Sequence, residues 1–225
     1  MLNHPINDKQ KEIISELQLT QLFEDFFQSP DNYIVPVGDD GTMSNELFEN
    51  VIFSLENFKK LQKTLWFEFD IVAKLEHGYR HKQSNARLIK QGYNPSSTSD
   101  HLVGLATDIH LYRKVFVNGM YANTRIQDTN ILKMVAKYLW LNKKVFGIVQ
   151  LGVYNNNVFR GGLHSGYNPE RKESYFERFW SEPRQNIKTQ HQPKRKGALN
   201  KPLSHSVLET KKINQKQRNC ELFVK

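Results

Sequence analysis

The sequence predicts an α+β domain, with several helices packed against a small antiparallel sheet and a basic tail after them. Three observations predict this. Helical apolar periodicity dominates the first third of the chain, short extended runs with turn signals follow it, and the charge balance changes near Arg184. Helices followed by strands, rather than strict alternation of the two, favour a segregated arrangement over a wound parallel sheet.

Residues from about Asp8 to Gln28 read as one helix, with Leu19, Leu22, Phe23 and Phe26 at helical spacing behind Ile13, Ile14 and Leu17. Pro30 and Asp39-Asp40-Gly41 then mark a turn-rich connection. A second helix is expected from Asn45 to Lys63, where Leu47, Val51, Leu55, Phe58 and Leu61 share a face. Phe69 to Leu75 reads as a strand, Ser84 to Lys90 as a short helix, and Gly92 to Asp100 as a polar loop. The chain from Leu105 to Tyr112 reads as extended. Val115–Val117 and Met120–Ala122 flank Asn118-Gly119, the pair that suits a tight hairpin turn. Asp128 is placed to cap a helix from Thr129 to about Asn142. Val145 to Val153 and Val158 to His164 read as further strands.

A chain of 225 residues, 38% hydrophobic and 12% aromatic, is long enough for one domain with a sizeable core. It holds no run of about 18 apolar residues, which argues against a membrane-spanning helix. Met1 to Glu16 is polar and lacks the basic start and apolar stretch of a secretory signal. The expectation is a protein made in the cytoplasm. The lone cysteine, Cys220, excludes an intramolecular disulfide framework and a cysteine-based zinc cluster. From Arg184 to Lys225, eleven Lys or Arg face two acids, which accounts for the whole net charge of +9. The expected organisation is therefore a domain over 1–183, whose own charges balance, and a basic tail over 184–225. The tail has little apolar periodicity and is expected to be disordered. Its charge suits anionic wall polymers, lipid or nucleic acid equally. Apart from Phe223 it lacks the interleaved aromatics that base stacking needs.

The stretch that carries chemistry is Ser99-Asp100-His101-Leu102-Val103-Gly104-Leu105-Ala106-Thr107-Asp108. A catalytic zinc site needs three protein ligands and one open position. Here a loop His precedes a strand Asp by seven residues. Gly104 and Ala106 between them carry little bulk, so a turn can bring both side chains to one ion. On a strand, Ala106, Asp108 and His110 share a face.

This segment resembles the S-x-H-x-x-G-x-A-x-D signature of the zinc D-alanyl-D-alanine carboxypeptidase and L-alanyl-D-glutamate endopeptidase group. These LAS-type metallopeptidases include D-alanyl-D-alanine dipeptidases and many phage endolysins. All five fixed positions match, at Ser99, His101, Gly104, Ala106 and Asp108. Upstream, Gly78-Tyr79-Arg80 with Asn85 resembles the group's G-Y-R-x(4)-N element. The two motifs span about thirty residues, and weaker likeness extends from roughly Asn45 to Tyr167.

The resemblance implies zinc held by His101, Asp108 and a second histidine on a late strand, here His164. It implies that Arg80 binds substrate and stabilises charge on the scissile carbonyl, and that the substrate is a peptidoglycan stem peptide or cross-link. Ser99 and Tyr79 are candidate substrate contacts, although a serine there also suits a turn cap and a tyrosine a core position. It further implies an endolysin-like enzyme, phage-encoded and released to the wall, or one associated with the virion. The chain departs from the group at one point. Many members carry an acid three residues before the late histidine, or an Asp two after it, and here those positions are Gly161 and Gly166. Glu170 and Glu173 are the nearest carboxylates in sequence. The alternative expectation is therefore an inactive member of the same fold that binds wall peptides or builds a virion. His77, His81 and His110 flank the motifs without matching its ligand positions, which suggests surface or supporting roles.

Overall fold

The early helices follow from apolar side chains that recur every three to four positions. In the computed structural model, residues 4–27, 35–90, 98–117, 120–154 and 161–178 are described. The basic tail, the Asn118-Gly119 turn and most of the polar loop after Lys90 lie outside the described residues. Helix α1 (Asp8–Glu16) opens on a capping box, in which Asn7 and Gln10 each bond the other's backbone N–H. The single helix expected to reach Gln28 is two, because Gln18 takes a φ of 54° and breaks it before α2 (Thr20–Phe26). That break turns Leu19, Phe23 and Phe26 together into the core.

Helix α3 (Asn45–Phe69) is capped by Ser44 and buries Val51, Leu55, Phe58, Leu61 and Leu65. It runs two turns past Lys63, the expected end, and stops where Asp70 adopts a φ of 53°. The remaining elements are β1 (Ile71–His77), α4 (Lys82–Lys90), a 3-10 turn (Asp100–Val103), β2 (Ala106–Val117), β3 (Met120–Arg125), α5 (Thr129–Leu141), β4 (Gln150–Tyr154), β5 (Gly162–Gly166) and β6 (Ser174–Arg178). Asp128 caps α5 as its position predicts, accepting from the Asn130 N–H at 2.8 Å. The strand expected from Val145 begins only at Gln150, since Lys143 to Gly147 form a turn and Gly147 has a φ of 61°.

The architecture is α+β, with one six-stranded sheet ordered β1-β2-β5-β4-β6 and β3 also paired to β2. Residues Tyr112 and Arg113 pair with both β1 and β3, while Asp108 and Ile109 pair with both β1 and β5. Strands β3 and β5 therefore follow one another along the same edge of the long strand β2. The sheet is mixed, not antiparallel as expected, because β6 pairs with β4 in parallel. Strand β6 has no counterpart among the expected strands, and the chain reaches it from β5 only by crossing over β4.

Strand alternation sorts the sheet's two faces. Ile71, Ala73, Leu75, Ile109, Leu111, Leu151, Val153 and Leu163 are buried in a core shared with the helices. Asp108, His110 and His164 point to the other face. No described helix is long and apolar enough to cross a membrane.

Candidate metal centre

Glycine 104 starts the site. It ends the 3-10 turn with a φ of 74°, and a Cβ there would lie 2.9 Å from Val51 Cγ2. Only glycine both turns the chain this way and lets it close on α3. Ser54 and Asn50 on α3 then hold the turn, donating to the carbonyls of Gly104 (2.8 Å) and Val103 (3.0 Å). Asp100 braces it from the opposite side, accepting from Asn168 Nδ2 and Arg171 Nε at 3.0 Å each. His101 is thereby fixed over the start of β2, and Asp108 stands directly across the ladder from His164 on β5.

The three side chains converge. His101, Asp108 and His164 each offer a ligand atom, and those atoms lie within 4.8 Å of one another. His101 Nε2 is 3.4 Å from Asp108 Oδ2, and His164 Nδ1 is 3.0 Å from Asp108 Oδ1. Ligands at about 2.0–2.1 Å from a tetrahedral metal ion are separated by about 3.3–3.4 Å. The two His–Asp spacings lie near this, and the group as a whole could hold a metal ion. The outer nitrogen of His101 supports the same reading. A carbonyl oxygen can only accept, so Nδ1 donates to Gly78 O at 2.5 Å and leaves the Nε2 lone pair free to face the other two ligands.

The electrostatics agree. Burial pushes the His101 imidazole down, against the opposing pull of Asp108. Burial alone would push the Asp108 carboxyl up, yet the imidazoles of His101 and His164 against it hold it well below the usual carboxylate range. Arg80 Nη2, 3.6 Å from Asp108 Oδ2, favours the same ionised state. A neutral imidazole beside an ionised carboxylate is the combination a cation requires.

The Gly-Tyr-Arg element divides its work among three residues. Gly78 supplies the carbonyl that orients His101, and it sits so close to Phe26 that a Cβ would fall 2.3 Å from the ring. Tyr79 is buried against Phe27, with ring centroids 5.5 Å apart, and its backbone N–H bonds Phe26 O. Arg80 faces Asp108 and donates its backbone N–H to His101 O at 2.9 Å. Ser99 is half-buried just before the 3-10 turn and makes no side-chain cap to it. His77 is exposed. His110 is buried beside Glu76 and Arg125, a grouping that sequence reasoning did not assemble. Glu173 points elsewhere, onto Lys143.

The chain matches no family model, no curated protein and no solved structure.

Proposed function

We propose that this protein is a zinc-dependent peptidase that hydrolyses peptide bonds in the stem peptides or cross-links of bacterial peptidoglycan. The observation that carries the reading is the convergence of His101, Asp108 and His164 on the polar face of the sheet, beside Arg80. The motif resemblance of the same residues supplies the substrate class.

Zinc bound there would act as a Lewis acid toward the scissile carbonyl and lower the pKa of water. The chain's own residues do the rest. His101 presents Nε2 because Gly78 holds its Nδ1 hydrogen, and Asp108 contributes the negative charge. Arg80 engages Asp108 through Nη2 alone among the described residues, so its remaining N–H groups are available to a substrate carboxylate or a developing oxyanion. Its side chain is 19% exposed, open enough to reach a ligand and buried enough to act at low dielectric.

The test is zinc content together with release of stem-peptide fragments from purified peptidoglycan. The reading expects one zinc per chain and fragment release that His101→Ala abolishes. A second reading rests on Gly161 and Gly166, which stand where members of the group it resembles keep an acid; the Gly161 carbonyl accepts from Arg125 Nη2 at 2.9 Å. It makes the protein a zinc-holding wall binder or virion component. Zinc without turnover would decide for it.

A further inference from the structure

The hydrolysis proposed above needs a carboxylate to take a proton from water and pass it to the leaving amine. We propose that Glu76 is that proton acceptor, presented by a bulge in β1 and held by His110. The inference rests on the hydrolase reading and deepens it.

The bulge comes first. Leu75 pairs with Ile109 and His77 with Asp108, so Glu76 has no partner across the ladder. Bulges of this kind re-aim a side chain, often next to an active site. Here Glu76 turns toward the face that carries Asp108 and His110, one strand spacing of about 4.8 Å from the ligand strand.

Its anchorage is specific. His110 Nδ1 lies 3.1 Å from Glu76 Oε2, and His110 Nε2 meets Arg125 Nη2. A guanidinium has no lone pair to accept with, so Nε2 is the acceptor, and the ring hydrogen sits on Nδ1 and donates to Glu76. The same Arg125 Nη2 donates to Gly161 O. The chain Glu76–His110–Arg125 thus ends on the β5 approach, at Gly161, one of the two positions where the resembling group keeps an acid. His110 is 5% exposed and Glu76 41%, so a buried anchor holds a carboxylate that reaches solvent. Among the described residues, Glu76 Oε1 accepts no hydrogen bond.

The other acids are committed or remote. Glu173 pairs with Lys143, Glu177 with Lys133, and Asp100 with Arg171 and Asn168. Glu170 lies exposed on the turn after Tyr167.

In the step assigned to it, Glu76 takes one proton from water as the water oxygen bonds the carbonyl carbon. The C–N bond then breaks with its electron pair on nitrogen, and nitrogen receives the proton from Glu76. The carboxylate is regenerated, and the second water proton leaves with the new carboxyl group.

The test uses the full zinc-loaded chain and purified peptidoglycan, comparing wild type with Glu76→Gln, Glu76→Ala and Glu173→Gln. Glu76→Gln is expected to keep one zinc and lose about 100-fold or more in rate. Added formate is expected to restore part of the Glu76→Ala rate, and Glu173→Gln to stay near wild type. An active wild type with an unimpaired Glu76→Gln overturns the inference alone. So does loss of zinc with activity, or a Glu76→Ala variant that formate does not rescue, since either makes the role structural. A wild type that holds zinc and cleaves nothing overturns the hydrolase reading and this inference with it.

Discussion

The two faces of the sheet are built from the same strands, residue by alternate residue, yet they obey different rules. On one face Leu75, Ile109, Leu163 and Val153 pack against helices, and a buried polar pair there, Thr107 and Tyr167, is hydrogen-bonded at 3.0 Å. Burial pushes that Tyr167 hydroxyl up to about 12, so it stays a neutral hydrogen-bonding group. On the other face Asp108, His110 and His164 are nearly as buried, but they are ionisable and crowded together. Three titratable groups with little solvent cost stability unless something completes them. The contrast separates the face that stabilises the fold from the face whose side chains could hold a metal ion.

The sharpest way to break that contrast is to change one residue on each face. His101→Ala should lower fragment release by about 1,000-fold or more and leave zinc substoichiometric, with little change in thermal midpoint in the metal-free protein. Leu163→Ala, the neighbour of His164 on the opposite face, should do the reverse. Its expected cost is about 2–5 kcal/mol in urea unfolding, with one zinc per chain retained when folded. If both variants lost zinc and stability together, the division between faces would fail.

Gly78→Ala probes the seam between the two. The new methyl must push against Phe26, which should cost about 1–3 kcal/mol. By moving the carbonyl that orients His101, it should also weaken zinc binding by about 10–100-fold in a competition titration. A variant that is destabilised but binds zinc normally would show that Gly78 serves packing alone.

The smallest expected effect lies far from the site, at His4, buried against Phe27 with ring centroids 4.5 Å apart. Burial lowers its pKa, with Glu24 opposing. A histidine whose folded pKa is below its unfolded value contributes stability that is present above the unfolded value and lost as pH falls through the folded one. Wild type should therefore lose more stability than His4→Phe on going from about pH 7.5 to about pH 5, measured by urea midpoints. Equal losses would place the acid sensitivity elsewhere.

How much of this was legible depended on how local the cause was. His101 and Asp108 belong to one short motif, and Gly104 between them announces the turn that joins them. The cap at Asp128 was equally local. The break at Gln18 carries no glycine or proline to mark it, and its φ of 54° runs against the local preference of a glutamine. Strand β6 is only five residues long, and its pairing with β4 depends on β5 already lying between β4 and β2. Glu76 and Arg125 are the clearest case. Nothing in their neighbourhoods of sequence links them, and they meet at His110 only through a bulge in β1 and the succession of β3 and β5 along one edge of β2. A signal existed for Glu76, two residues before the Gly-Tyr-Arg element, but register alone gives it meaning.

Anomalous scattering at the zinc edge from crystals of the zinc-loaded protein tests whether this face of the sheet holds a metal ion. One peak per chain is expected, bonded to His101 Nε2, an Asp108 oxygen and His164 at about 2.0–2.2 Å. A peak on other residues, or none with zinc in excess, would contradict it.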